Sequence, residues 1–449
     1  LYRVNVETEK QNQSISKLIS ILESNGDKIY STFPVNDTLD GFSFSDEESE
    51  KKWKQNNKIE ENYSFDETID YYIDRYKLEE FDDRKMQIKI IEVKYEGSVN
   101  SYSLSNSALI AKDISDKSNA QIEEQSYELY GVEIASVPKR YYPQKDLFSH
   151  ILGYVGKIGK EEYEKVKESG KYTINSEYGK LGVELTFEEY LKGTDGVKKV
   201  ETDKEGNVSS ETITQDAITG KTLKFTIDYR LQKTAQDALK NTIDGIKNGS
   251  LTFDKKGISD ASSGTVVVLN CQTGEVLALV NYPSYDNNLF INGISTKDWK
   301  KISEDSLKPM YNRAISSAFS PGSTFKMLVG IAGLQTGKIT VDEKYTDPGI
   351  YPYGHKPMCW KYSTNRTTHG TINVSGAIKG SCNCFFYEVG RRIGIAEIVK
   401  YAKLFGLGQK TGIELPEEAS GNIAGSDKNS EDGLKSPWYL GDTLSASIG

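Results

Sequence analysis

The sequence predicts an α+β protein of two domains, the second an antiparallel sheet covered by helices. Three observations lead there. With 449 residues the chain is longer than one ordinary domain. Near residue 222 a region of short elements, rich in Lys, Glu, Asn and Tyr, gives way to stronger apolar periodicity. Beyond that point a helix, a hairpin and a long run of helical segments follow one another, as in a sheet carrying helices. The domains are therefore set at 1–222 and 223–449.

In the first domain, Ser14 to Glu23 places Ile15, Leu18, Ile19 and Leu22 at helical spacing. Met86 to Tyr95 (MQIKIIEVKY) alternates apolar and polar residues and reads as a strand. From Tyr130 to Gly156, Pro138, Pro143 and several glycines give an extended segment with turns. In the second domain, Phe225-Thr226-Ile227-Asp228 ends a short strand, and Asp228 is placed to cap the next helix. Leu231, Ala235, Leu239 and Ile243 recur every four residues, an amphipathic helix. Thr265 to Leu269 and Glu275 to Val280 flank Asn270-Cys271-Gln272-Thr273-Gly274 as a hairpin.

Composition narrows the function. The chain is 37% hydrophobic and 27% charged, which supports sizeable cores and excludes a disordered protein. A formal charge of −9 argues against nucleic acid as a partner and against a basic grip on anionic lipid. There is no apolar run of the roughly 18 residues that span a bilayer, and no signal peptide at Leu1. Neither absence makes the protein cytoplasmic. Four cysteines are too few for a disulfide scaffold, yet Cys359, Cys382 and Cys384 cluster while Cys271 sits apart in the hairpin turn.

The segment Phe319-Ser320-Pro321-Gly322-Ser323-Thr324-Phe325-Lys326-Met327 carries the chemistry. Pro-Gly makes a sharp turn into an apolar run through Ile331, so Ser323 falls at a helix N-terminus with Lys326 one turn on. A serine nucleophile needs a nearby base, and exposed helix N–H groups favour developing negative charge. Lys326 is a base only when neutral. From a reference pKa near 10.4, neutrality at pH 7 costs about 4–5 kcal/mol unless burial or a cationic neighbour supplies it. A capping Ser with a solvated Lys is the bland alternative. Ser381-Cys382-Asn383 follows Val374, Ala377 and Ile378 at helical spacing. Ser381 can relay a proton and Asn383 can bind a substrate amide; a polar turn between two helices is the plain alternative. Ser-x-x-Lys followed by Ser-x-Asn is a pair found in penicillin-binding proteins and class A β-lactamases.

With these motifs in order the chain resembles a class B penicillin-binding protein of the elongation type. Gly131-Val132-Glu133, Arg140-Tyr141-Tyr142-Pro143, His150-Ile151-Leu152-Gly153-Tyr154-Val155-Gly156 and Gly179-Lys180-Leu181-Gly182-Val183-Glu184 carry the likeness, with Thr226-Ile227-Asp228 and Thr273-Gly274-Glu275-Val276-Leu277-Ala278. The resemblance implies an elongated N-terminal pedestal, tethered to the bacterial cell membrane by a helix not in this chain. It further implies an extracytoplasmic, serine β-lactamase-like transpeptidase domain. Ser323 would attack the D-Ala-D-Ala carbonyl of a peptidoglycan stem peptide, and β-lactams would acylate the same serine. A membrane glycosyltransferase is the implied protein partner. The family's third motif, Lys-Thr/Ser-Gly on a sheet strand, is expected beyond this chain. Lys410-Thr411-Gly412 has its letters but sits between Phe405-Gly406-Leu407-Gly408 and Ile413-Glu414-Leu415-Pro416, and reads as a structural loop.

Some members of the resembling family bind zinc. Carried over by position, the ligands are Asp347, Cys359, His369 and Cys382. Two thiolates, an imidazole and a carboxylate make a closed tetrahedral set, so the ion would be structural. A Cys359–Cys382 disulfide, reduced core cysteines, or His355 and Cys384 as ligands are the alternatives at this point. For the whole chain the competing functions are a penicillin-sensing receptor, a serine β-lactamase and a non-catalytic cell-wall scaffold.

Overall fold

The computed structural model describes residues 8–38, 41–44, 47–99, 108–174, 176–202, 208–253, 255–258, 260–291, 293–427, 429–431 and 433–449. Compactness divides the chain into Leu1–Pro138 with Asp195–Ile218, and Lys139–Thr194 with Thr219–Gly449. Helices and strands mix in an α+β arrangement, and every sheet among the described residues is a two-stranded antiparallel ribbon.

In the first unit the Thr8–Ser24 helix buries Ile15, Leu18, Ile19 and Leu22, as the spacing predicts. The expected strand at Met86–Tyr95 is instead part of a helix, Arg84–Val99. The reason is burial on several sides. Ile88, Ile91 and Tyr95 share one face, but Ile90 and Val93 are buried as well. The polar residues between them are also enclosed: Lys89 pairs with Glu23, and Glu96 accepts from the Thr32 hydroxyl at 2.6 Å. A helix without a solvent stripe loses its 3.6-residue signature, and what remains looks like alternation. Tyr95, Trp53 and Tyr72 surround Phe33 with ring centroids 4.9–5.9 Å apart. Ser64 and Glu67 form a reciprocal capping box that starts the Phe65–Tyr76 helix.

In the second unit Asp228 caps the Tyr229–Lys247 helix by accepting from Leu231 N–H at 2.8 Å. The short strand expected before it does not form. Residues 225–228 touch the neighbouring strand through Asp228 N–H to Leu277 O and Thr226 Oγ1 to Val276 O, too few bonds for a ladder. The predicted hairpin is present as Gly264–Leu269 paired with Val276–Tyr282. Gln232 fastens helix to hairpin: buried, its amide accepts from Leu279 N–H and donates to the Leu279 and Leu147 carbonyls. Residues 139–194 join this unit because Ile151 and Val183 share a core with Leu279 and Leu415. Within that stretch Arg140 Nε and the Tyr142 hydroxyl both reach the Glu184 carboxylate, so two of the sequence signatures meet.

The elements that place the site are the Lys326–Gln335, Val374–Gly380 and Asn383–Leu404 helices, the last kinked at Gly394. Val329, Ala332, Ala377, Phe386 and Val389 form their common core. Close approach depends on a missing side chain, since a Cβ on Gly333 would lie 2.7 Å from Val389 Cγ1.

Candidate active site

Pro321 and Gly322 lead into a short 3-10 turn, Gly322–Phe325, that runs directly into the Lys326–Gln335 helix. Gly322 has φ +57°, a conformation glycine reaches without cost. Ser323 therefore lies on the tight turn before the helix, with its carbonyl accepting from Lys326 N–H. Its side chain is exposed. Lys326, one turn on, points inward and is only 2% exposed.

Three oxygens receive the Lys326 ammonium group. Nζ lies 3.0 Å from Ser381 O, 3.0 Å from Ser381 Oγ and 2.5 Å from Asn383 Oδ1. The structure thus brings Lys326, Ser381 and Asn383 together, with Ser323 one turn before the lysine. Burial pushes the Lys326 amine below its ordinary range, while the nearby Cys359 and Cys382 thiols act in the opposite direction. The neutral amine has two N–H groups and one lone pair. The carbonyls of Ser381 and Asn383 can take the two N–H groups, leaving the Ser381 hydroxyl to donate to the lone pair. That arrangement uses both N–H groups and the lone pair of the amine and opens a proton path between it and a hydroxyl.

Ser381 reaches this position because the Val374–Gly380 helix ends there in a left-handed residue, φ 51° and ψ 43°. Such a conformation costs an L-residue about 1–2 kcal/mol. Donors from three directions hold it. His369 Nε2 lies 2.9 Å from Gly380 O, Trp360 Nε1 lies 3.2 Å from Gly380 O and 3.0 Å from Ser381 O, and Lys326 closes the other side.

Behind the turn, one ligand atom each of Asp347, Cys359, His369 and Cys382 lies within 4.8 Å of the others. These are the four positions the family resemblance selects. His369 Nδ1 faces Asp347 Oδ2 at 2.8 Å and Cys359 Sγ at 3.5 Å. Nε2 donates to the Gly380 carbonyl, which leaves Nδ1 facing the Asp347 carboxylate and the Cys359 sulfur, the orientation of an imidazole that shares one cation with both. Hydrogen bonds from Cys382 and Cys384 drive the Cys359 thiol down, and the bond to Cys359 with burial drives Cys382 up. The donor set therefore fits a thiophilic divalent ion. All four cysteines are free thiols, so Cys359 and Cys382 are not joined. Cys384 is buried beside Cys359 and Asp347 but outside the four-atom cluster, and His355 is exposed. Cys271 is exposed as well.

Lys410-Thr411-Gly412 lies in a loop and not on a strand, and the Glu418 carboxylate accepts from Thr411 N–H and Oγ1 at 2.7 and 2.6 Å. Sequence reasoning did not find the donor role of Trp360 or the link from His369 to Gly380. Bonds to backbone carbonyls leave no trace in residue type. The sequence signal for Trp360 is its adjacency to Cys359.

Residues 264–449 match the family model for the penicillin-binding protein transpeptidase domain, and residues 1–225 match the penicillin-binding protein dimerisation domain. The peptidoglycan D,D-transpeptidase MrdA of Acinetobacter baumannii is 34% identical over 343 residues, 76% of this chain and 47% of that protein. Helicobacter pylori PBP2, solved in complex with MreC, aligns with a TM-score of 0.61 at 28% identity, covering 76% of this chain and 59% of that one. A peptidoglycan synthase complex that coordinates polymerization and crosslinking aligns with a TM-score of 0.63 at 28% identity, covering 79% and 60%. The chain spans about half the length of the curated relatives it matches.

Proposed function

Because the chain belongs to the class B penicillin-binding proteins of the elongation type, we propose that it is a serine D,D-transpeptidase which cross-links peptidoglycan stem peptides. The observation that carries this reading is the buried Lys326 amine bonded to Ser381 and Asn383, one turn after Ser323.

Ser323 Oγ attacks the D-Ala-D-Ala carbonyl as neutral Lys326 takes its proton. Burial lowers the Lys326 pKa, the direction that the sequence reading required of a cationic neighbour or a dry site. Ser323 N–H, at the start of the helical run, would stabilise the oxyanion. The proton passes through the Ser381 hydroxyl to the departing D-Ala amine, and Asn383 steadies the stem-peptide amide. The amine of a second strand then resolves the acyl-enzyme. β-Lactams acylate the same oxygen and remain attached.

The reading includes a structural zinc ion held by Asp347, Cys359, His369 and Cys382, supported by their mutual spacing and the orientation of His369. Bound there, the ion would fasten the loop after Asp347 to the segment carrying Ser381 and Asn383 and cancel thiolate charge beside Lys326. The protein would work on the outer face of the bacterial cell membrane through an N-terminal anchor, beside a membrane glycosyltransferase. That partnership has its support in the synthase complex to which the fold is similar. Among the described residues no helix is long and apolar enough to cross a membrane.

Labelling of the full-length protein with a fluorescent penicillin tests the enzyme. Label is expected on the wild type and absent from Ser323→Ala; equal labelling of both would sink the assignment. Elemental analysis of the purified protein should return about one zinc per chain, and its absence would remove the metal.

A further inference from the structure

We propose that Trp360 is a positioning residue for acylation, acting through its indole N–H on the carbonyls of Gly380 and Ser381; this rests on the transpeptidase reading. Trp360 is nearly half exposed, at 47%. Its polar edge is nonetheless committed. Nε1 reaches two consecutive carbonyl oxygens, Gly380 O at 3.2 Å and Ser381 O at 3.0 Å. The second of these is also the acceptor for Lys326 Nζ. One carbonyl oxygen thus joins the indole to the amine that serves as base.

The arrangement divides labour between two donors. Gly380 O keeps His369 Nε2 if the indole bond is lost, but Ser381 O then keeps only Lys326. Lys326, when neutral, needs both its N–H groups for Ser381 O and Asn383 Oδ1. A lysine drawn into holding the turn alone is a poorer proton acceptor. The turn itself is left-handed at Ser381, so it relaxes when a restraint goes, and the hydroxyl moves with it. The indole is fixed in turn by its neighbours: it follows Cys359 and packs edge-on against the His369 ring, centroids 5.8 Å apart. The exposed face could alternatively serve as a substrate platform, and the two roles separate experimentally.

In the full-length protein, acylation by a fluorescent penicillin is followed to obtain the limiting rate and the apparent dissociation constant separately. Wild type is compared with Trp360→Phe and with benzothienylalanine at 360, an isostere of tryptophan lacking the N–H. Loss of one hydrogen bond on the reaction path predicts a limiting rate reduced about ten-fold in both variants. The apparent dissociation constant should hold within about two-fold, with zinc content unchanged. A wild-type rate for the benzothienyl variant would overturn the proposal, since ring shape would then suffice. So would an effect confined to the dissociation constant, or loss of metal in either variant. An independent readout is the Trp360 indole N–H resonance, which should exchange slowly with solvent despite the exposed ring; fast exchange also defeats the proposal. Failure of the transpeptidase reading itself has a different signature: protected indole N–H, but no label that depends on Ser323.

Discussion

Two buried lysines show how residue surroundings decide chemistry. Lys326 has three oxygen partners around one amine, and in the proposed reaction its burial favours a base. Lys94 donates to Gln11 Oε1 at 3.1 Å and lies 5.5 Å from the Tyr76 ring centre. Burial pushes its pKa down to about 8. Between about pH 8 and the ordinary value of 10.5 the unfolded chain therefore binds the extra proton, and stability rises with pH through that window. Below it the folded state bears the full cost of a buried charge. Lys94→Met should stabilise the protein at pH 7 by about 2 kcal/mol and flatten this rise. Denaturant unfolding of both proteins at pH 7 and pH 10 checks it. A variant less stable at pH 7, or one with an unchanged slope, contradicts the account.

At the scale of elements, the long helix from Asn383 to Leu404 is tied to the loop before Cys359 by a carboxylate. Glu388 accepts from the Tyr351 hydroxyl at 2.6 Å, from both Arg391 nitrogens at 2.8–3.0 Å and from Arg392 Nε at 2.7 Å. Burial alone would raise its pKa, but these donors overcome that and hold it at about 2. The stabilisation is present above pH 4.5 and is lost as pH falls toward 2. Glu388→Gln should cost about 2–3 kcal/mol at pH 7 and remove this acid sensitivity, measured as the difference between wild-type and variant unfolding curves. A cost that persists undiminished at pH 2.5 would exclude the mechanism. The same elements show what a sequence discloses. The Ser14–Glu23 helix was legible because one face is solvated and the period survives, and the 264–282 hairpin because two apolar runs flank the turn residues Asn270 to Gly274. The Arg84–Val99 helix was not, since enclosure on several sides erased its polar stripe. In the candidate site, residue type and spacing singled out Ser323, Lys326, Ser381 and Asn383, while the four clustered ligands came from the family resemblance. The turn that aims Ser381 depends on carbonyls, which every residue has, and so it could not be read.

Across the whole molecule the buried clusters do not mix. One core holds Ile15, Ile19, Trp53, Tyr72 and Ile90, all of the first unit, while the others draw only on the second. Separate cores argue against a single all-or-none transition. The four clustered ligands lie entirely in the second unit, on the loop at Asp347, the short helix start at Cys359, the bend at His369 and the start of the Asn383 helix. Structural zinc sites can contribute about 10 kcal/mol or more, a large part of any domain's stability. Stripping an ion held by these four side chains should therefore act on one unit. Calorimetry of the full-length protein should resolve more than one transition, and a strong chelator should lower the one belonging to the second unit by about 10 °C or more. Fluorescence identifies which it is, because Trp53 reports the first unit and Trp299, Trp360 and Trp438 the second. Cys359→Ala should reproduce the chelator's effect and leave nothing further for it to remove. A chelator that moved every transition together, or Cys359→Ala melting like wild type, would mean that the four side chains do not hold the second unit through a metal.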